Sequence, residues 1–420
     1  MLALKKFTGW LVLGTLVFYL LSVADWVSTA LPTLCAWGAN AAMWKTLPKG
    51  AKRQVLILMG IGVLALIFAA TQGIWMTWRE VLAINLPMLA MFVAVSFLDL
   101  TSSRDTSRPL PKGLKAIVNT AFGVQLLGAV INMSVIMVFA DRMKGIGRLS
   151  STQQFVITRS FSAAAWWSPF FVATGVALTY APGMKWQHTV IPGIFMGLMS
   201  VAFSTIQAYR RTKGDFEGYP IRRESLFVPL LLSIAVIICH FTWQNVSILV
   251  LICLIAPIAT MLLMKARPRK QALLSFVDDK LPRIGSQFAL FLAAGLFSNG
   301  IKAIILCYPQ VFDVASSHFS VFIFAITLAG MILVSYVGVH PVISVAVVSP
   351  ILLPLHPEPT QLGFLFFSAW AISTGSSALT GLGLLMTGRY QVPASVIVKN
   401  SWRYALCMWF LASFVNAVFL

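Results

Sequence analysis

The chain is 420 residues long, 59% hydrophobic and only 10% charged, with a formal net charge of +19. Soluble domains carry about 25% charged residues, so the composition excludes a water-soluble fold and predicts an all-α polytopic integral membrane protein, multi-pass in a cell inner (plasma) membrane. The Lys and Arg residues lie in short clusters between apolar runs, as the positive-inside rule describes. The bilayer is therefore the expected partner, and no nucleic acid is. Twelve acidic residues are too few to line a long carboxylate pathway, which leaves room for a small anionic substrate.

In chain order, the first apolar segments span 8 to 24 and 27 to 43. Lys5 and Lys6 precede the first like a signal peptide's basic end, but Asp25 and Trp26 stand where a small-residue cleavage site would be, so a retained helix is expected. Residues 1–44 thus form an N-terminal helical hairpin. Next come 54 to 74, 81 to 99, 117 to 140, 155 to 180 and 189 to 209. A second series follows at 225 to 241, 245 to 264, 286 to 308, 319 to 354 and 361 to 388, and a C-terminal helix at 403 to 420. Many approach the ~20 residues that cross the hydrocarbon core. The stretch 319–354 is too long for one straight crossing. Gly338-Val339-His340-Pro341 within it predicts two half-helices joined by an unwound link.

Four punctuating residues recur in one register: Pro111 with Pro282 at a separation of 171, and Gly123 with Gly295, Pro169 with Pro341 and Pro182 with Pro354 at 172. This predicts two structural repeats, 54–209 and 225–389, with re-entrant hairpins and broken helices at the midplane, an organisation common in secondary transporters. Two arrangements follow. If 117 to 140 and 286 to 308 are re-entrant hairpins, every basic cluster faces the cytoplasm and the halves run parallel. If they cross fully, the repeat is inverted, the arrangement favoured here, and two basic clusters lie outside.

Polar residues in apolar segments mark the candidate site. Ser160, Ser162 and Ser168 precede Pro169, which frees carbonyls that serine hydroxyls can satisfy or that can hold a cation; a proline-kinked packing helix is the plain alternative. Gly338, His340 and Pro341, followed by Ser344, sit at the matching place in the second half. Glycine, proline and an imidazole are costly together in an apolar helix, and His340 is a candidate proton carrier. Ser373, Thr374, Ser376 and Ser377 belong to a small-residue run through Gly383 that permits close helix approach or lines a substrate path. Gln125, Asn132 and Ser134 in the first half, and Ser298, Asn299 and Gly300 in the second, suit turns at hairpin tips, while Lys302 is expected to snorkel.

Order and spacing over most of residues 101 to 389 resemble the ion transporter superfamily, particularly its divalent-anion/sodium symporters: a basic arm, a Gly-containing hairpin, a helix broken at the midplane and a small-residue helix, given twice. Hairpin-tip and break motifs bind sodium and substrate carboxylates in that family. The resemblance implies such roles for Ser298-Asn299-Gly300, for serines 160, 162 and 168, and for the Gly-Val-His-Pro break; no intact Ser-Asn-Thr triplet occurs.

The function expected is cation-coupled secondary active transport of a small carboxylate-like organic anion by alternating access of elevator type. Sodium or a proton is the coupling ion, and no other cofactor or metal is expected. A homodimer is compatible with this reading. The competing class is a flippase for a lipid carrier, polyprenyl-phosphate or an envelope glycolipid, or a polytopic enzyme of envelope biogenesis, for which basic arms would suit a lipid phosphate. No His/Asp/Glu constellation supports an enzyme: Asp278-Asp279 lies among basic residues, and His188, His318 and His356 stand singly. Cys35, Cys239, Cys253, Cys307 and Cys407 lie in apolar context without metal-ligand spacing.

Overall fold

The computed structural model describes residues 2–101, 109–131, 133–145, 148–220, 223–243, 245–264, 267–312 and 318–420. Its first helices are α1 (Leu2–Val23), α2 (Ala30–Met43), α3 (Lys49–Thr71), α4 (Trp78–Ala83), α5 (Leu86–Ser96), α6 (Leu114–Ile131) and α7 (Ser134–Lys144). They are followed by α8 (Ser151–Ala163), α9 (Val172–Tyr180), α10 (Trp186–Thr212), α11 (Arg223–Thr242), α12 (Ile248–Leu263), α13 (Arg269–Ser275) and α14 (Gly285–Cys307). The last are α15 (Pro309–Phe312), α16 (Val321–Tyr336), α17 (Pro341–Leu352), α18 (Pro359–Ser376), α19 (Gly381–Gly388) and α20 (Ala394–Phe419).

Among the described residues, six helical stretches are long and apolar enough to cross a membrane: Lys49–Thr71, Trp78–Leu100, Trp186–Thr212, Arg269–Cys307, Pro359–Gly388 and Ala394–Phe419. Lys49–Thr71 and Ala394–Phe419 lie mostly outside the buried interior, as lipid-facing helices do, whereas Pro359–Gly388 is mostly buried in the protein. α3 turns Leu56, Leu64 and Ile67 outward and buries Val55, Leu58, Gly62 and Ala69, and the two small residues among these allow the close helix approach that packing in lipid favours. The protein is a multi-pass, all-helical membrane protein.

Helix bounds keep the register of the paired prolines. Shifted by the 172 residues that separate Pro169 from Pro341, α3 falls on α11, α6 on α14, α8 on α16 and α9 on α17, and the start of α10 comes within one residue of the start of α18. Pro182 and Pro354 each follow the end of a helix, α9 and α17, by two residues, where a residue without an N–H cannot continue the ladder.

The chain divides into two compact units. Unit 1 comprises Met1–Thr101, Ile234–His318 and Val345–Pro357. Its axis is the pairing of α3 with α14. A Cβ on Gly300 would stand 2.7 Å from the Gly62 carbonyl oxygen, so glycine at 300 lets the two backbones touch. Asn299 Nδ2 donates to the Glu80 carbonyl at 2.8 Å and to the Gly295 carbonyl at 3.1 Å, and Asn85 Nδ2 donates to the Phe291 carbonyl. α14 runs unbroken through Ser298, Asn299 and Gly300. The hairpin tip expected there is therefore corrected: glycine in a helix packed this closely loses little, and the asparagine side chain ties one helix to the next.

Unit 2 comprises Ser102–Ser233, Phe319–Ser344 and Glu358–Leu420. α8 and α18 are its core, ringed by α6, α9, α10, α16 and α20. Every residue of α8 from Thr152 to Ala163 is buried. A helix buried all round is ordinarily apolar all round, yet α8 carries Gln153, Gln154, Thr158, Arg159, Ser160 and Ser162. Outside the core, Lys112 and Glu217 form an isolated bridge of extended backbone and an ion pair at 3.0 Å.

Candidate functional site

α8 begins with a capping box in which Ser150 Oγ accepts from the Gln153 N–H and Gln153 returns a bond to the Ser150 N–H. It continues as a short 3-10 turn, Ala164–Trp166, and stops, because Pro169 disfavours helix at Ser168. The segment expected at 155 to 180 is thus two helices. At the break Ser168 Oγ donates to the Ala129 carbonyl of α6 and accepts from the Phe170 N–H at 3.2 Å. Thr174 Oγ1 donates to the Ser168 carbonyl at 2.6 Å, and Trp186 Nε1 to the Trp167 carbonyl at 3.2 Å. Of the carbonyls at the break, those of Trp167 and Ser168 are thus taken by the protein itself.

The second break has the predicted form, two half-helices joined at Gly338 to His340. α16 ends in a Schellman arrangement: the Val339 N–H reaches the Val334 carbonyl at 3.2 Å and the Gly338 N–H the Ser335 carbonyl at 3.1 Å. Gly338 has φ +97°, a conformation that side chains with a Cβ rarely adopt. α17 starts at Pro341, an N1 proline whose missing N–H costs nothing. His340 Nδ1 accepts from the Val342 N–H at 3.2 Å, so the imidazole caps α17, and Ser344 Oγ donates to the Pro341 carbonyl at 2.9 Å.

Both breaks meet the same turn of α18. Trp166 Nε1, two residues before Ser168, donates to Ser368 Oγ at 3.1 Å. The His340 ring stands edge-on to Trp370 with centroids 5.4 Å apart. Ser368 and Trp370 are two positions apart, a rise of about 3 Å. Two positions on an α-helix also differ by about 200° in direction, so the breaks reach α18 at one level from different sides; α18 is nearly all buried, and both anchors lie inside unit 2.

Toward its C-terminus α18 carries Ser373, Thr374, Gly375 and Ser376, with Ser377 as its C-cap. The small-residue run, expected within one helix, instead spans a third break, since α18 ends at Ser376 and α19 begins at Gly381. The serine and threonine side chains compete for backbone groups there: Ser376 Oγ donates to the Ile372 carbonyl, Ser377 Oγ to the Ser335 carbonyl of α16 at 2.7 Å, and Thr380 Oγ1 accepts from the Gly383 N–H at 3.4 Å. Gly375 packs on α8 and α20. A Cβ on it would lie 2.5 Å from Ser162 Oγ and 3.5 Å from both the Arg159 Cα and a Tyr404 ring carbon.

Arg159 lies in the middle of this assembly with no exposed surface. Its guanidinium donates to Gln207 Oε1 on α10 at 2.6 Å, to the Asn400 carbonyl on α20 at 2.7 Å and to Ser401 Oγ at 3.4 Å. It is stacked between the rings of Phe155 at 4.6 Å and Tyr404 at 4.5 Å. No carboxylate among the described residues pairs with it, and its Nε makes no hydrogen bond. Arg211 adds a second cation nearby, donating to Asn400 Oδ1 at 2.7 Å. An arginine in the hydrocarbon region costs about 2.5 to 3.5 kcal/mol on insertion scales, and here dipoles and aromatic faces offset that cost in place of an acid. The sequence signal for it was the capping box, which sets Arg159 in the third turn of a helix.

Of the sequence-predicted residues, Ser160, Ser162, Ser168, Pro169, Gly338, His340, Pro341, Ser344, Ser373, Thr374, Ser376 and Ser377 all fall in unit 2, as does Ser134 at the start of α7. Ser160 is buried with an unpaired Oγ, and Ser162 Oγ donates to the Arg159 carbonyl at 3.1 Å. Ser298, Asn299 and Gly300 fall in unit 1, and Lys302 there meets Glu80 at 3.6 Å. Asn132 lies outside the described residues.

No family model matches the chain, and no curated protein matches its sequence. Its fold is similar to that of the YdaH transporter of Alcanivorax borkumensis, a crystal structure with an unusual topology: the TM-score is 0.59 at 11% identity, over 87% of this chain and 97% of that one. At that identity the likeness is one of fold, and it agrees with the helical, multi-pass architecture seen here.

Proposed function

We propose that the protein is a secondary active transporter of a small carboxylate-like organic anion in a cell inner membrane, and that unit 2 carries the substrate. The observation that carries this reading is that two helix breaks, at Ser168-Pro169 and Gly338-Pro341, both contact one buried turn of α18. Broken helices whose N-termini face a common interior supply partial positive charge to an anion, while neighbouring hydroxyls and carbonyls suit a coupling cation. The likeness to a solved transporter supports the same class. The matched helix bounds support an internal repeat, for which an inverted arrangement is favoured, and alternating access of elevator type would move one packed unit with its cargo.

The cation is sodium, held by hydroxyls and carbonyls at the breaks, or a proton. The capping bond of His340 gives that side chain a structural task, so the proposal leans toward sodium. The test is uptake by the purified protein in liposomes, with succinate, citrate and related carboxylates under imposed sodium and proton gradients. Accumulation of at least one anion driven by one gradient is the expected result; no gradient-driven movement of any of them would sink the reading.

A further inference from the structure

We infer that Arg159 is the residue that receives the carboxylate of the bound anion and so sets the preference for charged over neutral substrates. This assignment rests on the transport reading above and names the group that would recognise the cargo. A buried guanidinium that serves only as a structural clamp normally meets a carboxylate or spends its donors fully. Arg159 does neither, since its Nε–H has no acceptor and no acid pairs with it.

The rest of its surroundings fix the guanidinium in place without neutralising it. Gln207 Oε1 and the Asn400 carbonyl hold its two terminal nitrogens. The rings of Phe155 and Tyr404 pack against the group at 4.6 and 4.5 Å. Arg211, tied to the same Asn400 through the amide oxygen, leaves the locality short of negative charge. A planar fork held in this way matches a carboxylate better than a lysine would. Ser160, the next residue on α8, adds a second buried polar group without a partner, its hydroxyl, and Gly375 brings the small-residue end of α18 against the same helix.

Ligand-induced thermal stabilisation of the full-length detergent-purified chain tests the assignment, with succinate, citrate and the neutral analogue succinamide as probes. The wild type should be stabilised by at least one anion and not by succinamide. In Arg159→Gln the concentration of that anion needed for half-maximal stabilisation should rise roughly tenfold or more, the loss expected on removing a hydrogen bond to a charged group. Arg159→Lys, which keeps the charge but loses the fork, should fall between the two, and it serves alone if the Gln variant does not elute as a folded species. A variant that melts earlier but binds the anion with wild-type affinity would make Arg159 a structural clamp and overturn the assignment, as would a wild type that binds none of the anions. A wild type that binds an anion in this way yet moves none under any gradient would defeat the transport reading while leaving the role of Arg159 decided by the variants.

Discussion

Ser168 and His340, 172 residues apart, perform the same bond at equivalent helix breaks: each side chain accepts the backbone N–H two residues on, from Phe170 and from Val342, at 3.2 Å in both cases. A serine and a histidine have little in common except a short reach to an acceptor atom, which a chain about to turn into a helix at a proline requires. The histidine is therefore explained first as a cap.

That explanation separates two roles by mutation. His340→Ala should lower stability by about 1 kcal/mol, the usual loss of a cap, whereas His340→Asn should retain most of it. Thermal unfolding of both variants checks the cap. Transport under a proton gradient checks the other role, because a proton-carrying His340 would lose coupling in the Asn variant as fully as in the Ala variant. Coupling preserved in His340→Asn would confine the residue to its structural task.

Gly375→Ala is predicted to be among the most damaging small changes in unit 2. The new methyl would lie 2.5 Å from Ser162 Oγ, and overpacking of this kind costs about 1 to 3 kcal/mol. Adding Ser162→Ala should recover part of the loss. A double-mutant cycle on the melting midpoint measures that coupling, and strict additivity would show that the two helices do not meet as described.

Asn299 belongs to the packing of α3, α4 and α14. Asn299→Ala leaves the Glu80 carbonyl without its 2.8 Å donor and should cost about 1 to 3 kcal/mol while leaving the apparent KM for a transported anion at the wild-type value. A raised KM with unchanged stability would return the residue to the binding site.

At the surface, Glu217 holds the Lys112 ammonium above the ordinary lysine range, by its hydrogen bond first and its charge second. A raised pKa in the folded state means that the stabilisation is fully present below the ordinary lysine value, about 10.4, and is lost as pH climbs through the folded value. Both side chains are exposed and screened by salt. Lys112→Met should accordingly leave the melting midpoint unchanged within error at neutral pH and physiological ionic strength, and differential scanning fluorimetry is sufficient to check it.

Proline and glycine made the breaks legible in the sequence, because the missing N–H of Pro169 and Pro341 and the freedom of Gly338 act locally, whatever surrounds them. Ser298-Asn299-Gly300 misled for the complementary reason. The same residues that suit a turn also suit close helix packing, and only the approach of α3 decides between them. Arg159 was hidden because charge in a sequence reads as surface, and its burial depends on Gln207 and Asn400, 48 and 241 positions away. The third break escaped because Ser376, Ser377 and Thr380 bond to backbone on α18, α16 and α19 respectively instead of interrupting the pattern with a proline.

The central claim is that unit 2 holds the substrate where its two broken helices meet α18. A cryo-EM map of the protein with a saturating concentration of a transported anion tests it most directly. Ligand density is expected within hydrogen-bonding reach of Arg159 or of the residues flanking Ser168 and His340. Density lodged in unit 1, against Ser298 to Gly300, with unit 2 empty, would contradict it.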